Sequence, residues 1–267
     1  MAKNDVLEAA AGTSGGQAAG KSTVPSPAPV LAVGLGRGFG GKSTLLAELA
    51  WRAMAAGRPV IVADGDARSR TLSDLFPDAV SPSSEELPDV KAWLSSVLNA
   101  MVKEKRSAVL DLGGGDRVLL EYGRDLKLVE FCSRRGIEPL AIYVLGPESE
   151  DLRHCVSIWE AGYFNPKRLL LVLNEGVIRD GRTVAGAFEG TMNDRGFRAM
   201  VEAGAKSFLL TRLACMDEVR EHGLSIHDAA SGLGPDPLDP VQSFMAEDWL
   251  DDLDRNIRTL GISGWLP

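Results

Sequence analysis

The chain has 267 residues, 45% hydrophobic and 25% charged, enough for one sizeable core and one or two domains of about 100–200 residues each. Its 29 Lys and Arg stand against 37 Asp and Glu, a net charge of -8, which disfavours a protein that coats a polyanion wholesale while leaving room for a local basic patch. Three separated cysteines with no C-x-x-C pair, and three histidines with no metal spacing, disfavour disulfide scaffolds and zinc sites and fit a reducing cytosol.

Taken in order, residues 1–28 hold Ala, Gly, Ser, Thr and Pro with few large apolar side chains, the composition of a flexible tail. They lack the plan of a secretion signal, and no apolar run in the chain reaches the roughly 18–20 residues of a membrane helix. A cytoplasmic location is therefore expected. From Pro29 onward, short apolar runs alternate with longer amphipathic ones. Val30–Val33, Val60–Ala63, Ala108–Leu112, Leu140–Leu145, Leu169–Leu173 and Phe208–Leu210 read as buried parallel strands. Lys42–Ala56, Val90–Lys103, Val118–Arg135, Glu148–Ala161, a stretch around Met216–His222 and Val241–Leu260 carry apolar residues three and four apart and read as helices. The expected fold is α/β, with a mostly parallel sheet covered by helices on both faces. Its division is a tail (1–28), a main domain (29–235) and an acidic C-terminal helix (236–267) docked on the domain or on a partner. That last segment holds seven acids and two bases. A membrane-lying helix carries Lys and Arg on its polar face, so no membrane anchoring is expected.

The most informative segment is Gly36-Arg37-Gly38-Phe39-Gly40-Gly41-Lys42-Ser43. It matches G-x-x-x-x-G-K-[ST] directly after a strand pattern and directly before a helical one, the context a phosphate-binding loop requires. Glycines let successive N–H groups point at phosphate oxygens, and the helix N-terminus adds its positive end. Lys42 is then placed for the β- and γ-phosphates, Ser43 for magnesium, and Thr44 follows in the same loop. Three later strand ends suit such a site. Asp64 and Asp66 close the second run, and either could orient water or a water-bound metal. Asp111 ends the third run in Walker B form, before Gly113-Gly114-Gly115, and would hold magnesium through water. Asn174 ends the fifth with an amide that both donates and accepts, as an adenine edge requires.

On these residues the sequence resembles the ParA/MinD family of deviant Walker A ATPases, which partition plasmids and chromosomes or position cargo. Arg37 lies at the family's signature-lysine position and Phe39 at a glycine. The resemblance runs in order along most of residues 30–228. Val62–Arg68 resembles the Asp-x-Asp-Pro-Gln segment, implying that Asp66 assists hydrolysis and contributes to the magnesium site with Ser43 and Asp111. Asn174 falls on the adenine-contacting Asn, and Glu218–Ile226 is similar to the late base-side segment, with Thr211 where a proline is usual. The resemblance implies a P-loop ATPase that binds ATP and Mg2+ through residues 36–44 and Asn174. It also implies catalysis by Lys42, Asp66 and Arg37, dimerisation with ATP, and an adaptor protein of the partition or mobilisation type. Nonspecific DNA binding is a family trait, but basic residues such as Lys103, Lys105, Arg106, Lys167 and Arg168 are scattered and none is assigned to DNA. Two other classes stay open. One is a P-loop ligase or kinase acting on a small molecule, with Glu175–Gly204 supplying a second pocket. The other is a nucleotide-binding regulator.

Overall fold

The computed structural model describes residues 27–38, 40–66, 69–112, 118–179 and 181–267. The proposed tail up to residue 26, Phe39, Ala67, Arg68, the glycine loop 113–117 and Asp180 lie outside the described residues.

The elements run β1 (Val30–Leu35), α1 (Lys42–Ala55), β2 (Val60–Asp64), α2 (Thr71–Leu75), α3 (Leu87–Glu104), β3 (Ser107–Asp111), α4 (Leu128–Arg134), β4 (Glu138–Leu145), α5 (Ser149–Ala161), β5 (Arg168–Asn174), α6 (Val184–Asn193), α7 (Arg195–Glu202), β6 (Lys206–Leu210), α8 (Met216–Glu221), α9 (Ile226–Ser231) and α10 (Pro240–Thr259). The six strands form one sheet in the order β2-β3-β1-β4-β5-β6, with every neighbouring pair parallel. The strands are apolar on both sides because both faces are covered. Leu31, Val33 and Leu35 enter one core with Trp93, Leu94 and Leu98 of α3 and Leu152 of α5. Val30 and Ala32 enter the other with Leu45 and Leu49 of α1 and Trp249 and Leu253 of α10. The acidic C-terminal helix thus packs on the sheet's second face. Trp249 donates its indole N–H to the Thr211 carbonyl at 2.7 Å and Asn256 donates to Leu209 O at 3.1 Å.

The edge strand β2 is closed from outside. Val80 donates to Val62 O and accepts from the Asp64 amide, both at 2.9 Å, and the Arg106 guanidinium donates to Val60 O.

One expectation needs correction. The segment 118–135 is not one helix: a wide turn over Leu119–Gly123, a short turn to Leu126 and left-handed Lys127 (φ 51°) precede α4. Leu119 and Leu128 are both fully buried. Nine residues apart, they would face opposite sides of a continuous helix, and the break lets both reach one core. The segment Glu175–Gly204 is largely helical, while Gly176 and Val177 at its start line a cavity beside the phosphate loop. It forms α6 and α7, capped by Thr183 accepting from the Gly186 amide and Asp194 accepting from the Gly196 amide. Phe188, Phe197 and Met200 of these helices point into the core. The cysteines are all buried, and burial pushes the Cys132 thiol up to about 12, so it is no nucleophile at neutral pH.

Candidate functional site

The loop after β1 sits where successive connections leave the sheet in opposite directions: α1 carries the chain to β2 on one side of β1, and β4 lies on the other. That crevice, at the carboxyl ends of the strands, is where open α/β sheets bind ligands. Gly36 enters the loop at φ 127°, and a Cβ there would stand 2.6 Å from the Val144 carbonyl of β4. Gly41 sets the N-terminus of α1 at φ 87°, a left-handed turn open to glycine without strain. No acid occupies the first turn of α1, so its positive end is not neutralised from within the helix.

Lys42 is only 5% exposed, and its ammonium donates to Arg37 O at 3.0 Å. Ser43 Oγ donates to Asp111 Oδ2 at 2.5 Å, joining residues 68 apart. Asp111 is paired across the sheet with Gly34 on one side and Asp64 on the other, so three strand ends stand abreast beneath the loop. A hydroxyl and a carboxylate in contact suit a hard divalent cation, which needs only one or two such oxygens beside phosphate and water. Among the described residues no group of three or more His, Cys, Asp or Glu forms a protein-only metal cage.

Asp64 and Asp66 are sharply different. The Asp64 carboxylate is buried and accepts from the Asp66 amide (3.1 Å), the Ser73 amide and the Ser73 hydroxyl (both 2.8 Å). It organises the turn into α2. Asp66 accepts from the Ser69 amide and hydroxyl at 3.2 and 2.9 Å in a more open setting. Asp64→Ala is expected to lower unfolding free energy by about 3 kcal/mol, because three donors lose a buried charged acceptor, against about 1 kcal/mol or less for Asp66→Ala. Urea melts of the two variants check the contrast.

Asn174 is buried and clamps the loop: its amide donates to Gly40 O at 2.8 Å, and its oxygen accepts from Gly176 N at 2.9 Å. It also lines a cavity of about 270 Å³ with Gly41, Thr44, Thr211, Arg212 and Asp217. This cavity opens from the loop toward the end of β6 and is where a nucleoside would lie if its phosphates occupied the loop. Arg37 is half exposed and turned to Asp151, in the first turn of α5, at 3.4 Å.

Sequence reasoning missed a polar pair behind the loop. His227 Nε2 lies 2.7 Å from Glu48 Oε1, joining α9 to the inner face of α1, where Glu48 is 4% exposed. The bond from Glu48 raises the imidazole pKa, Glu48 and Asp228 charges add to it, and burial and Arg52 oppose it. The folded value thus lies above the ordinary 6.5. The pair's contribution is fully present below pH 6.5 and is lost as pH rises through the raised value. Melting temperature should therefore fall across that window more steeply in the wild type than in His227→Gln. Equal slopes in a thermal melt series would contradict this.

A parallel sheet covered on both faces, with a G-x-x-x-x-G-K-S loop at its switch point, defines the fold as that of a P-loop NTPase. No protein-family model and no curated protein matches the chain. Solved structures do match. Chloroplast FtsY from Physcomitrella patens has a TM-score of 0.44 at 18% identity over 83% of this chain and 65% of that one. FtsY from Elizabethkingia anophelis in complex with GDP gives 0.43 at 14% over 66% and 57%. MinD from Aquifex aeolicus gives 0.46 at 14% over 85% and 97%. The chain spans less than two thirds of either FtsY chain, and likenesses this remote carry no statement on activity.

Proposed function

We propose that the chain is a ParA/MinD-like ATPase switch. It binds Mg-ATP in the Gly36–Thr44 loop, dimerises with nucleotide bound, hydrolyses the β–γ bond and separates. The cycle would drive plasmid or chromosome partition, plasmid mobilisation or cargo positioning through an adaptor protein, with nonspecific DNA as a further partner in the partition case. The observation that carries the reading is the 2.5 Å contact of Ser43 with Asp111 at the N-terminus of α1, with the buried Lys42 ammonium held against the same loop.

Ser43 and Asp111, joined by Asp66 from its loop, would hold magnesium, which supplies positive charge at the β- and γ-phosphate oxygens. Lys42 neutralises charge developing on the transferred phosphate, and Asp66 orients the attacking water. Arg37 is exposed enough to leave Asp151 and reach phosphate, its own or a second subunit's. Asn174 holds the loop and faces the base. Asn174, Thr211 and Asp217 in that cavity's lining offer both donors and acceptors to a purine edge, so the nucleotide, ATP or GTP, is part of the test.

A second reading rests on a cavity of about 380 Å³ that shares Thr44, Met216 and Arg220 with the nucleoside cavity and extends to Glu48, Trp51 and Asp74. A metabolite there would lie beside the phosphate loop, as in a ligase or kinase. Light scattering of Asp66→Ala with magnesium and either ATP or GTP separates the two. A mass that doubles only with nucleotide supports the switch. A monomer that binds nucleotide without doubling sinks the dimer cycle and moves the assignment to the metabolite enzyme.

A further inference from the structure

Helix α10 is anchored along one side by Ala246, Trp249, Leu253 and Ile257, all buried. Its opposite side carries Val241 and Phe244, 64% and 65% exposed, and Met245, 40% exposed. These stand at i, i+3 and i+4, one contiguous apolar turn on a helix. The stripe continues through exposed Asp248 and Asp251, seven and ten residues beyond Val241, with exposed Glu247 beside them. Most other acids of this region are engaged. Asp239 caps α10, Asp254 pairs with Arg52 and Arg258, Asp252 with Arg255, and Asp236 with His222. The side chains of Glu247, Asp248 and Asp251 make no hydrogen bond or ion pair among the described residues.

We infer that this stripe docks a basic amphipathic helix of another protein, whose apolar residues cover Val241, Phe244 and Met245 and whose Lys or Arg side chains, about 10 Å farther along, meet Asp248 and Asp251. Charge decides the occupant. A second copy of this chain, set parallel, would oppose acids to acids. Set antiparallel, it would bury carboxylates against Phe244. Both arrangements are penalised. An anionic membrane surface is repelled by the same three acids. A basic partner gains the apolar contact and the ion pairs together. Phe244, aromatic and exposed on a rigid helix, is the anchor expected of such an interface. The inference is independent of the nucleotide cycle.

The probe is a labelled four-turn peptide with Leu at helical spacing on one face and Lys elsewhere, titrated with the full chain and followed by fluorescence anisotropy. A twin peptide with Glu in place of Lys serves as control. The basic peptide should bind at least about tenfold tighter than its acidic twin, and more weakly as salt rises. Phe244→Ser should weaken it about tenfold or more. In Asp248→Lys/Asp251→Lys the preference between the two peptides should reverse. All three positions are exposed, so unchanged circular dichroism and melting are expected of both variants. No binding of the basic peptide, equal binding of both peptides, or indifference to the substitutions overturns the proposal. So does a wild-type dimer without nucleotide that Phe244→Ser converts to monomer, since the stripe would then be a self-contact.

Discussion

A Lys42→Met variant is expected to hydrolyse nucleoside triphosphate about a thousandfold more slowly than the wild type, or worse, while melting at the same temperature or higher. The two halves follow from one position. Lys42 is buried at the start of α1, and its ammonium donates to the Arg37 carbonyl and meets no carboxylate among the described residues. A buried ammonium satisfied so thinly costs the folded state solvation, and methionine of similar length removes that cost. Facing phosphate, the same ammonium stabilises charge that grows in the transition state, where losing one donor costs roughly 10²–10³ and losing a charged one more. Phosphate release and thermal melts, with and without magnesium nucleotide, read both effects. Hydrolysis within tenfold of wild type would remove Lys42 from the site.

Gly41→Ala should cost about 2–4 kcal/mol of stability and weaken nucleotide binding about a hundredfold. Left-handed backbone at φ 87° is strained by roughly 1–2 kcal/mol for any residue with a Cβ. The new methyl would also stand 2.3 Å from Asn174 Nδ2, and Asn174 is short and held on both sides by Gly40 and Gly176. The clamp on the loop must open. Gly38→Ala is the control, because a Cβ there meets nothing within 4 Å and its stability should match the wild type. If both variants behave alike in denaturant melts, the Asn174 clamp is not what holds the loop.

The fold was legible because its signals are local. Each strand is a short apolar run buried from both sides, and each long helix buries residues three and four apart. The phosphate loop announces itself through adjacent glycines and Lys42. Elements were missed where the signal is short or masked by composition. Thr71–Leu75 is barely more than a turn, and Gly186, Gly190 and Gly196 hid the spacing of Ala187, Phe188, Phe197 and Met200. Contacts across long stretches of chain were not legible at all. Glu48 and His227 are 179 residues apart, and Arg37 and Asp151 are 114 apart. Asp64 and Asp66 look equivalent in sequence, and only the fold, by turning Ser73 back onto Asp64, makes one a structural carboxylate and leaves the other on an open loop.

The guarded edges of the sheet limit how copies can join. On β2 the outward backbone is taken by Val80 and Arg106, and beside β6 the carbonyls of Leu209 and Thr211 are taken by Asn256 and Trp249. A ladder continuing from one molecule into the next would first have to strip away these guards, so edge-to-edge stacking, the usual route from sheet to fibril, is obstructed along β2 and interrupted at Leu209 of β6. Loss of Arg106 or Asn256 should then appear as slow precipitation rather than as a failure of the phosphate loop.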